Sequence, residues 1–169
     1  KKMKKIYITT PLYYVNDEPH IGTAYTTILA DVLNRYYQSI GYDTFFLTGT
    51  DEHGQKVQEA ANKNNISPKE HVNKVVKRFK NVWNNLDIQY NDFIRTTEKR
   101  HVERVKDILN DLYLKGEIYQ NEYEGLYSVS EERFITEKEA EEGDFREIKQ
   151  LKETNYFFKM SKYQKQLIN

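Results

Sequence analysis

The spacing of hydrophobic positions changes several times along the chain, and each change marks an element. Ile6 and Ile8 alternate with polar neighbours between Lys5 and Thr10, which predicts a short strand that Pro11 ends. A loop is expected from there to about Pro19. From His20 onward, Ile21, Ala24, Tyr25, Ile28, Leu29, Val32 and Tyr36 recur at three- and four-residue steps as far as Gly41, the pattern of an amphipathic helix closed by glycine. Thr44 to Thr48 reads as a strand, Gly49 to Gly54 as a polar loop, and Gln55 to about Asn62 as a helix. Strand, helix, strand, helix in that order predicts a parallel sheet.

Ser67-Pro68-Lys69-Glu70 has the form of a capping box with proline at the first helical position. Val72, Val75, Val76, Phe79, Trp83 and Leu86 then fall on one helical face. Phe93 to Arg95 is a candidate strand, and Val102, Val105, Ile108, Leu109 and Leu112 define another helix, ended by Gly116. Beyond it the pattern shifts. Residues 117–128 alternate with many tyrosines like a hairpin, Glu137 to Glu142 suggests a short acidic helix, and Asn155 to Phe158 a strand. Ser161 and Gln164 suggest a second capping box, opening a helix over Tyr163 to Ile168 that Asn169 cuts short. The expected division is therefore a first region over 1–116, an insertion over 117–158, and a truncated return over 159–169.

Composition narrows the class. Lys plus Arg (26) equals Asp plus Glu (26), so no overall positive field draws nucleic acid, and any RNA contact must be local. The chain has no cysteine, which excludes a disulfide framework and thiolate metal ligation. Neither a signal peptide nor an apolar span is legible, so no membrane is expected and the expected compartment is cytoplasmic. Lys1 and Lys2 precede Met3, which suggests Met3 as the native start.

Two stretches carry candidate chemistry. The first, Leu12-Tyr13-Tyr14-Val15-Asn16-Asp17-Glu18-Pro19-His20-Ile21-Gly22-Thr23, links the first strand to the first helix, where ligands collect in open α/β sheets and free helix N–H groups favour phosphate. A histidine there can donate to a phosphate oxygen, and a glycine lets a nucleotide ring approach the backbone. Alone, His-x-Gly is more often a plain helix start. The second, Phe45-Phe46-Leu47-Thr48-Gly49-Thr50-Asp51-Glu52-His53-Gly54, ends the next strand and would face the same crevice. The first resembles the HIGH signature of class I aminoacyl-tRNA synthetases. Both stretches, with Ile8-Thr9-Thr10-Pro11, Asp92-Phe93-Ile94-Arg95-Thr96-Thr97, Tyr123-Glu124-Gly125-Leu126-Tyr127 and Asn155-Tyr156-Phe157-Phe158, resemble the methionyl-tRNA synthetases along nearly the whole chain.

That resemblance implies an α/β fold: the first half of a class I Rossmann-type nucleotide-binding fold with a small α+β connective insertion. It implies a methionine-tRNA ligase that forms methionyl-adenylate from methionine and ATP and charges tRNA(Met), this chain being an amino-terminal part expected to be inactive alone. His20 and Thr23 would be catalytic, with Asn16, Pro19, His20, Ile21, Gly22 and Thr23 against ATP, whose Mg2+ enters with it as substrate. Leu12 and Tyr14 would meet the methionine side chain and Asp51 its ammonium, matching thioether to aromatic ring and carboxylate to cation. Thr23 departs from the signature, which has a second histidine there. Many relatives hold a zinc knuckle starting Tyr-Cys-x-x-Cys; here Tyr127 precedes Ser128-Val129-Ser130-Glu131, so no zinc is expected, and Tyr119, Tyr123, Leu126, Tyr127, Phe134 and Phe145 are the candidate core of the insertion.

Other readings weigh less. A small nucleotidyltransferase would share the phosphate signature but not the second stretch, and no Gly-x-Gly-x-x-Gly supports a dinucleotide dehydrogenase. A noncatalytic module that binds ligand or RNA is the alternative from another class. Asp51-x-His53 is too few ligands for a metal site, and His71 and His101 are expected to be solvated. Lys159-Met160-Ser161-Lys162 mimics the family's lysine-serine loop, but it directly follows the insertion and is expected to be structural.

Overall fold

The computed structural model describes residues 4–131 and 133–168; Met3 and Asn169 lie outside them. The chain divides into two compact units, Lys1–Arg104 and Val105–Asn169.

In the first unit a parallel sheet is built on one central strand. Strand β1 (Lys5–Thr9) pairs with β3 (Asp43–Asp51) from Lys5 opposite Asp43 to Thr9 opposite Leu47. On the other side of β3 lies β4 (Asp92–Arg95), with Leu47 opposite Asp92 and Thr50 opposite Arg95. The segment read as loop contains a two-residue strand, β2 (Tyr13–Tyr14), which takes over beside β3 where β1 stops. Its cause is non-local. The Tyr13 ring stacks on Phe79 at 5.8 Å and its hydroxyl meets that of Thr27 at 2.8 Å, so the backbone is drawn against β3. Likewise Gly49 to Asp51, read as loop, continue β3, because Thr48 and Thr50 are fully buried and both neighbouring strands pair there. Gly49 is required by close approach: a Cβ on it would stand 2.0 Å from the Ile94 carbonyl oxygen.

Helix α1 (Ile21–Ser39) has the expected length but buries a different face. Thr27, Ala30, Asp31 and Asn34 are buried, while Ile21, Tyr25, Ile28, Leu29, Val32 and Tyr36 are exposed. Polar side chains do the docking: Asp31 accepts from the Gln89 N–H at 2.8 Å and Asn34 donates to the Gln89 carbonyl at 3.1 Å. Two helices follow, α2 (Gln55–Lys63) and α3 (Pro68–Asn85). Ser67 caps α3 by accepting from the Glu70 N–H at 3.2 Å, but the box is half-formed, because the Glu70 carboxylate turns to Lys74 instead. Val72, Val75, Val76, Phe79 and Trp83 enter the core with Val15, Phe46, Val57 and Phe93. Leu86, read as part of that stripe, is exposed at the helix end. His71, expected in solvent, is buried with Nε2 2.9 Å from the Val15 carbonyl oxygen, and so braces the stretch after β2.

Helix α4 (Lys99–Leu114) contains the unit boundary, and none of its residues is buried. The second unit is an antiparallel sheet. Residues 117–128 do not fold back on themselves: β5 (Ile118–Ser128) is one strand of 11 residues. It pairs throughout with β7 (Ile148–Phe158) and at its end with β6 (Arg133–Ile135). The turn-favouring residues within β5, Asn121 and Gly125, both stay paired, opposite Asn155 and Leu151. Phe134 meets the Tyr123 and Tyr127 rings at 4.6 and 5.2 Å, and Tyr119 stacks on Phe157 at 5.7 Å. Helix α5 (Glu137–Glu142) follows β6, with a complete capping box between Thr136 and Glu139. After β7 a 3₁₀ turn (Met160–Tyr163) leads into α6 (Gln164–Ile168). Ser161 lies within that turn and caps nothing with its side chain, contrary to expectation. Lys162 is ion-paired with Glu117, whose carbonyl oxygen accepts from the Lys159 N–H at 2.9 Å.

Candidate active site

Parallel strands align their carboxyl ends, and the expected site residues lie where those ends meet the start of α1. The β2–β3 register sets Tyr14 directly opposite Asp51. Paired residues of neighbouring strands project to the same sheet face, so two side chains 37 positions apart in sequence stand together. Tyr13 and Thr50, the preceding pair, project to the other face and are buried. Tyr14 is 66% exposed, Asp51 half-buried, and Leu12 half-buried just before β2. The Tyr14 ring thus offers an uncovered aromatic surface beside a carboxylate.

His20 is the N-cap of α1. Its Nδ1 accepts from the Gly22 N–H at 3.1 Å, which leaves the hydrogen of a neutral ring on Nε2 and makes that atom a donor. Thr23 closes the box from the other side: its hydroxyl lies 3.1 Å from the His20 N–H and donates to the His20 carbonyl oxygen at 2.7 Å. Thr23 therefore fixes the helix start in this arrangement. A Cβ on Gly22 would lie 3.0 Å from His20 Cε1, so the glycine makes room for the imidazole itself, a reason distinct from access for a nucleotide. No acidic residue occupies the first turn of α1, so its positive end is uncompensated from within. His20, Ile21 and Gly22 are exposed, and Pro19 and Thr23 are half-buried. Asn16 lines a cleft of about 440 Å³ with Asp17, Glu18, Lys63 and Arg78, and Arg78 forms an ion pair with Glu18.

The strand ends also hold a hydrogen-bonded set of residues to which the sequence assigns no role. Glu52, 4% exposed, follows the last residue of β3. Its carboxylate accepts from Arg95 Nε at 2.6 Å, Arg95 Nη2 at 3.1 Å, the Thr50 hydroxyl at 2.8 Å and the Thr97 hydroxyl. Arg95 Nη2 also reaches Asn73 Oδ1 on α3 at 2.7 Å. Burial by itself raises the Glu52 pKa; the hydrogen bonds from Arg95, Thr97 and Thr50, with the charge of Arg95, together outweigh it and hold the carboxyl below its usual range. The legible signal was an arginine at the end of one strand and an acid just past the end of its neighbour. Their meeting depends on register, which spacing alone does not supply. Glu52, Arg95, Asn73 and Thr97 line a second cleft, of about 530 Å³, with His53 and Lys69.

Asp51 and His53 do not converge as a metal pair: the His53 ring turns to the Thr96 carbonyl oxygen, with Nε2 at 3.4 Å. Among the described residues no group of three or more His, Asp or Glu is arranged to hold a metal ion.

A solved structure shares this arrangement of elements, and sequence relatives match along the chain. The family described as tRNA synthetases class I (M) matches residues 6–150. Methionine–tRNA ligase of Fusobacterium nucleatum is 52% identical over 165 residues, covering 95% of this chain and 26% of that protein. That of Campylobacter jejuni is 47% identical over 167 residues, covering 96% and 27%. The solved structure of Mycobacterium tuberculosis methionyl-tRNA synthetase in complex with methionyl-adenylate superposes with a TM-score of 0.89 at 35% identity, over 98% of this chain and 34% of that one. This chain thus spans about a quarter of the length of the curated relatives it matches. The parallel sheet, the histidine-capped helix and a match running through most of both units have one common source: the chain belongs to the class I tRNA synthetase family of the methionyl type.

Proposed function

We propose that this chain supplies the signature-bearing part of a methionine-tRNA ligase, an enzyme that joins methionine to ATP as methionyl-adenylate and passes the methionyl group to tRNA(Met). The observation that carries the reading is the Tyr14–Asp51 pairing at the open ends of β2 and β3. An exposed ring beside a carboxylate suits an amino acid with a thioether side chain and an ammonium: sulfur packs on the ring, and Asp51 accepts from the ammonium. Leu12, half-buried just before β2, lies against the same methionine side chain. Asn16, Pro19, His20, Ile21, Gly22 and Thr23 face ATP, which enters as substrate with Mg2+.

Adenylate formation needs no enzyme nucleophile. The methionine carboxylate attacks the α-phosphate and pyrophosphate leaves, so the protein contributes positioning and charge stabilisation. His20 Nε2 donates to phosphate oxygens as charge builds there, in line with the positive end of α1. Thr23 contributes by holding His20 in the cap. The proposed division is a catalytic half over 1–116, a connective insertion over 117–158 and a return to the catalytic part over 159–169. No described helix is long and apolar enough to cross a membrane, and cytoplasmic work on tRNA is the proposed setting.

Methionine-dependent ATP–pyrophosphate exchange tests the reading in a protein of the relatives' length that carries these residues. Asp51→Ala should raise the methionine KM strongly and leave the ATP KM nearly unchanged; His20→Ala should cost about 2 kcal/mol or more of transition-state stabilisation. The 169-residue chain alone should not support exchange. Equal damage to both substrates' KM values by Asp51→Ala would make that residue structural, and no exchange by the long protein would leave a binding module.

A further inference from the structure

We infer that Thr96, held by the buried Glu52–Arg95 pair, is a positioning residue for the Asp51 carboxylate. The inference rests on Asp51 being the ammonium's partner, as proposed above. Thr96 follows β4 directly and is tied to β3 twice: its N–H donates to the Thr50 carbonyl oxygen at 3.2 Å, and its hydroxyl oxygen accepts from the Glu52 N–H at 2.9 Å. That hydroxyl has one hydrogen left to give. Asp51 Oδ1 lies 3.4 Å away on its donor side, close enough for a small shift of the carboxylate to complete the bond. Thr96 is itself buried, which limits its exchange with solvent.

What fixes Thr96 is the pair behind it. The Arg95 fork is engaged by both Glu52 oxygens and by Asn73, and the Glu52 carboxylate also accepts from Thr50 and Thr97. Residues 50, 52, 95 and 97 are thereby locked around the one threonine that touches Asp51. The arrangement also separates two adjacent acids by role. Glu52 points inward and is matched by arginine, so its charge is already answered within the protein; Asp51 lies at the half-buried strand end, where a ligand's cation can reach it.

The test is a double-mutant cycle in the long, active protein, read as KM for methionine and for ATP in pyrophosphate exchange. Thr96→Val keeps the shape and removes the hydroxyl. It should raise the methionine KM about tenfold, the size of a lost hydrogen bond to a charged group, with the ATP KM within about twofold. Thr96→Ser, which restores the hydroxyl, should return the methionine KM to within about threefold of the parent. In an Asp51→Ala background the Thr96→Val effect should vanish, because the group it positions is gone. Arg95→Lys keeps the charge but loses the fork; it should show the same methionine-selective, Asp51-dependent effect, and it serves the cycle if Thr96→Val fails to fold. A Thr96→Val or Arg95→Lys penalty that persists in full without Asp51, or that falls equally on ATP, overturns the inference and leaves the Asp51 reading standing. An Asp51→Ala protein with unchanged methionine KM overturns that reading instead.

Discussion

Charged side chains are used in opposite ways at the carboxyl ends of β3 and β4 and along the β5–β7 ribbon. Glu52 is buried and accepts from three different side chains, while Glu122 and Lys152, paired diagonally across the ribbon, stand mostly in water with 3.3 Å between them. A buried pair has lost its hydration, so removing one partner strands the other's charge; an exposed pair is rehydrated as soon as it parts. The aromatic cores of the two sheets differ in the same way. Phe79 and Trp83 are nearly inaccessible in the first unit, whereas Tyr119 and Tyr123 keep about two-fifths of their surface in solvent. The Glu52–Arg95 pair should therefore carry structural weight, and the Glu122–Lys152 pair little.

The largest expected effect is at Glu52. Glu52→Ala should destabilise the fold by about 3–5 kcal/mol in urea unfolding, because Arg95 is left without its charge partner. A cost near that of a surface pair would erase the contrast. Gly49→Ala comes next, at about 1–3 kcal/mol, since β3 and β4 must separate to admit a Cβ against Ile94. A smaller loss, about 1 kcal/mol, is expected in the second unit for Thr136→Ala, which removes the cap of α5, and amide exchange should show it confined to that helix and its neighbours.

Acid sharpens the comparison further. Glu139 is held down to about 2 by the Thr136 N–H, by Arg133 and by the Thr136 hydroxyl. A depressed carboxyl pKa stabilises the folded form above the unfolded value and ceases to do so as pH falls through the folded one. The contribution of Glu139 should therefore fade between about 4.5 and about 2, and Glu139→Gln should flatten that part of the α5 unfolding profile. Smallest of all, Lys152→Ala should change stability by less than about 0.5 kcal/mol, within the range of exposed pairs.

Legibility in the sequence followed the range of the interactions. Helix α3 could be read because its cap, its proline and its apolar stripe are local, and the motif stretches before α1 and at the end of β3 could be read because each is continuous in sequence. The face of α1 could not. Its apolar stripe is real, but Asp31 and Asn34 reach the Gln89 backbone more than 50 residues away, and those bonds turn the polar face inward among the described residues. β2 went unseen for a similar reason: two residues have no periodicity, and what holds them is Tyr13 against Phe79 and Thr27. Alternation in β5 identifies a strand but not its partner, so one long strand reads in sequence like two short ones. His71 reads as solvated because the charged helix around it says nothing of the Val15 carbonyl oxygen that it meets.

The alternation at β2 bears on which changes of chain length this protein can tolerate. Surface connections ordinarily accept added or lost residues, and the stretch after Thr9 has the look of one. Here, however, Tyr13 and Tyr14 point to opposite faces while held beside Thr50 and Asp51. A one-residue deletion or insertion carried into β2, rather than absorbed by residues 10–12, would shift its phase, sending the core tyrosine toward the open face and its neighbour toward Phe79 and Trp83. With Thr10 bonded to the Leu47 carbonyl oxygen, only two residues remain to absorb such a change, so the segment should tolerate new side chains far more readily than a new length.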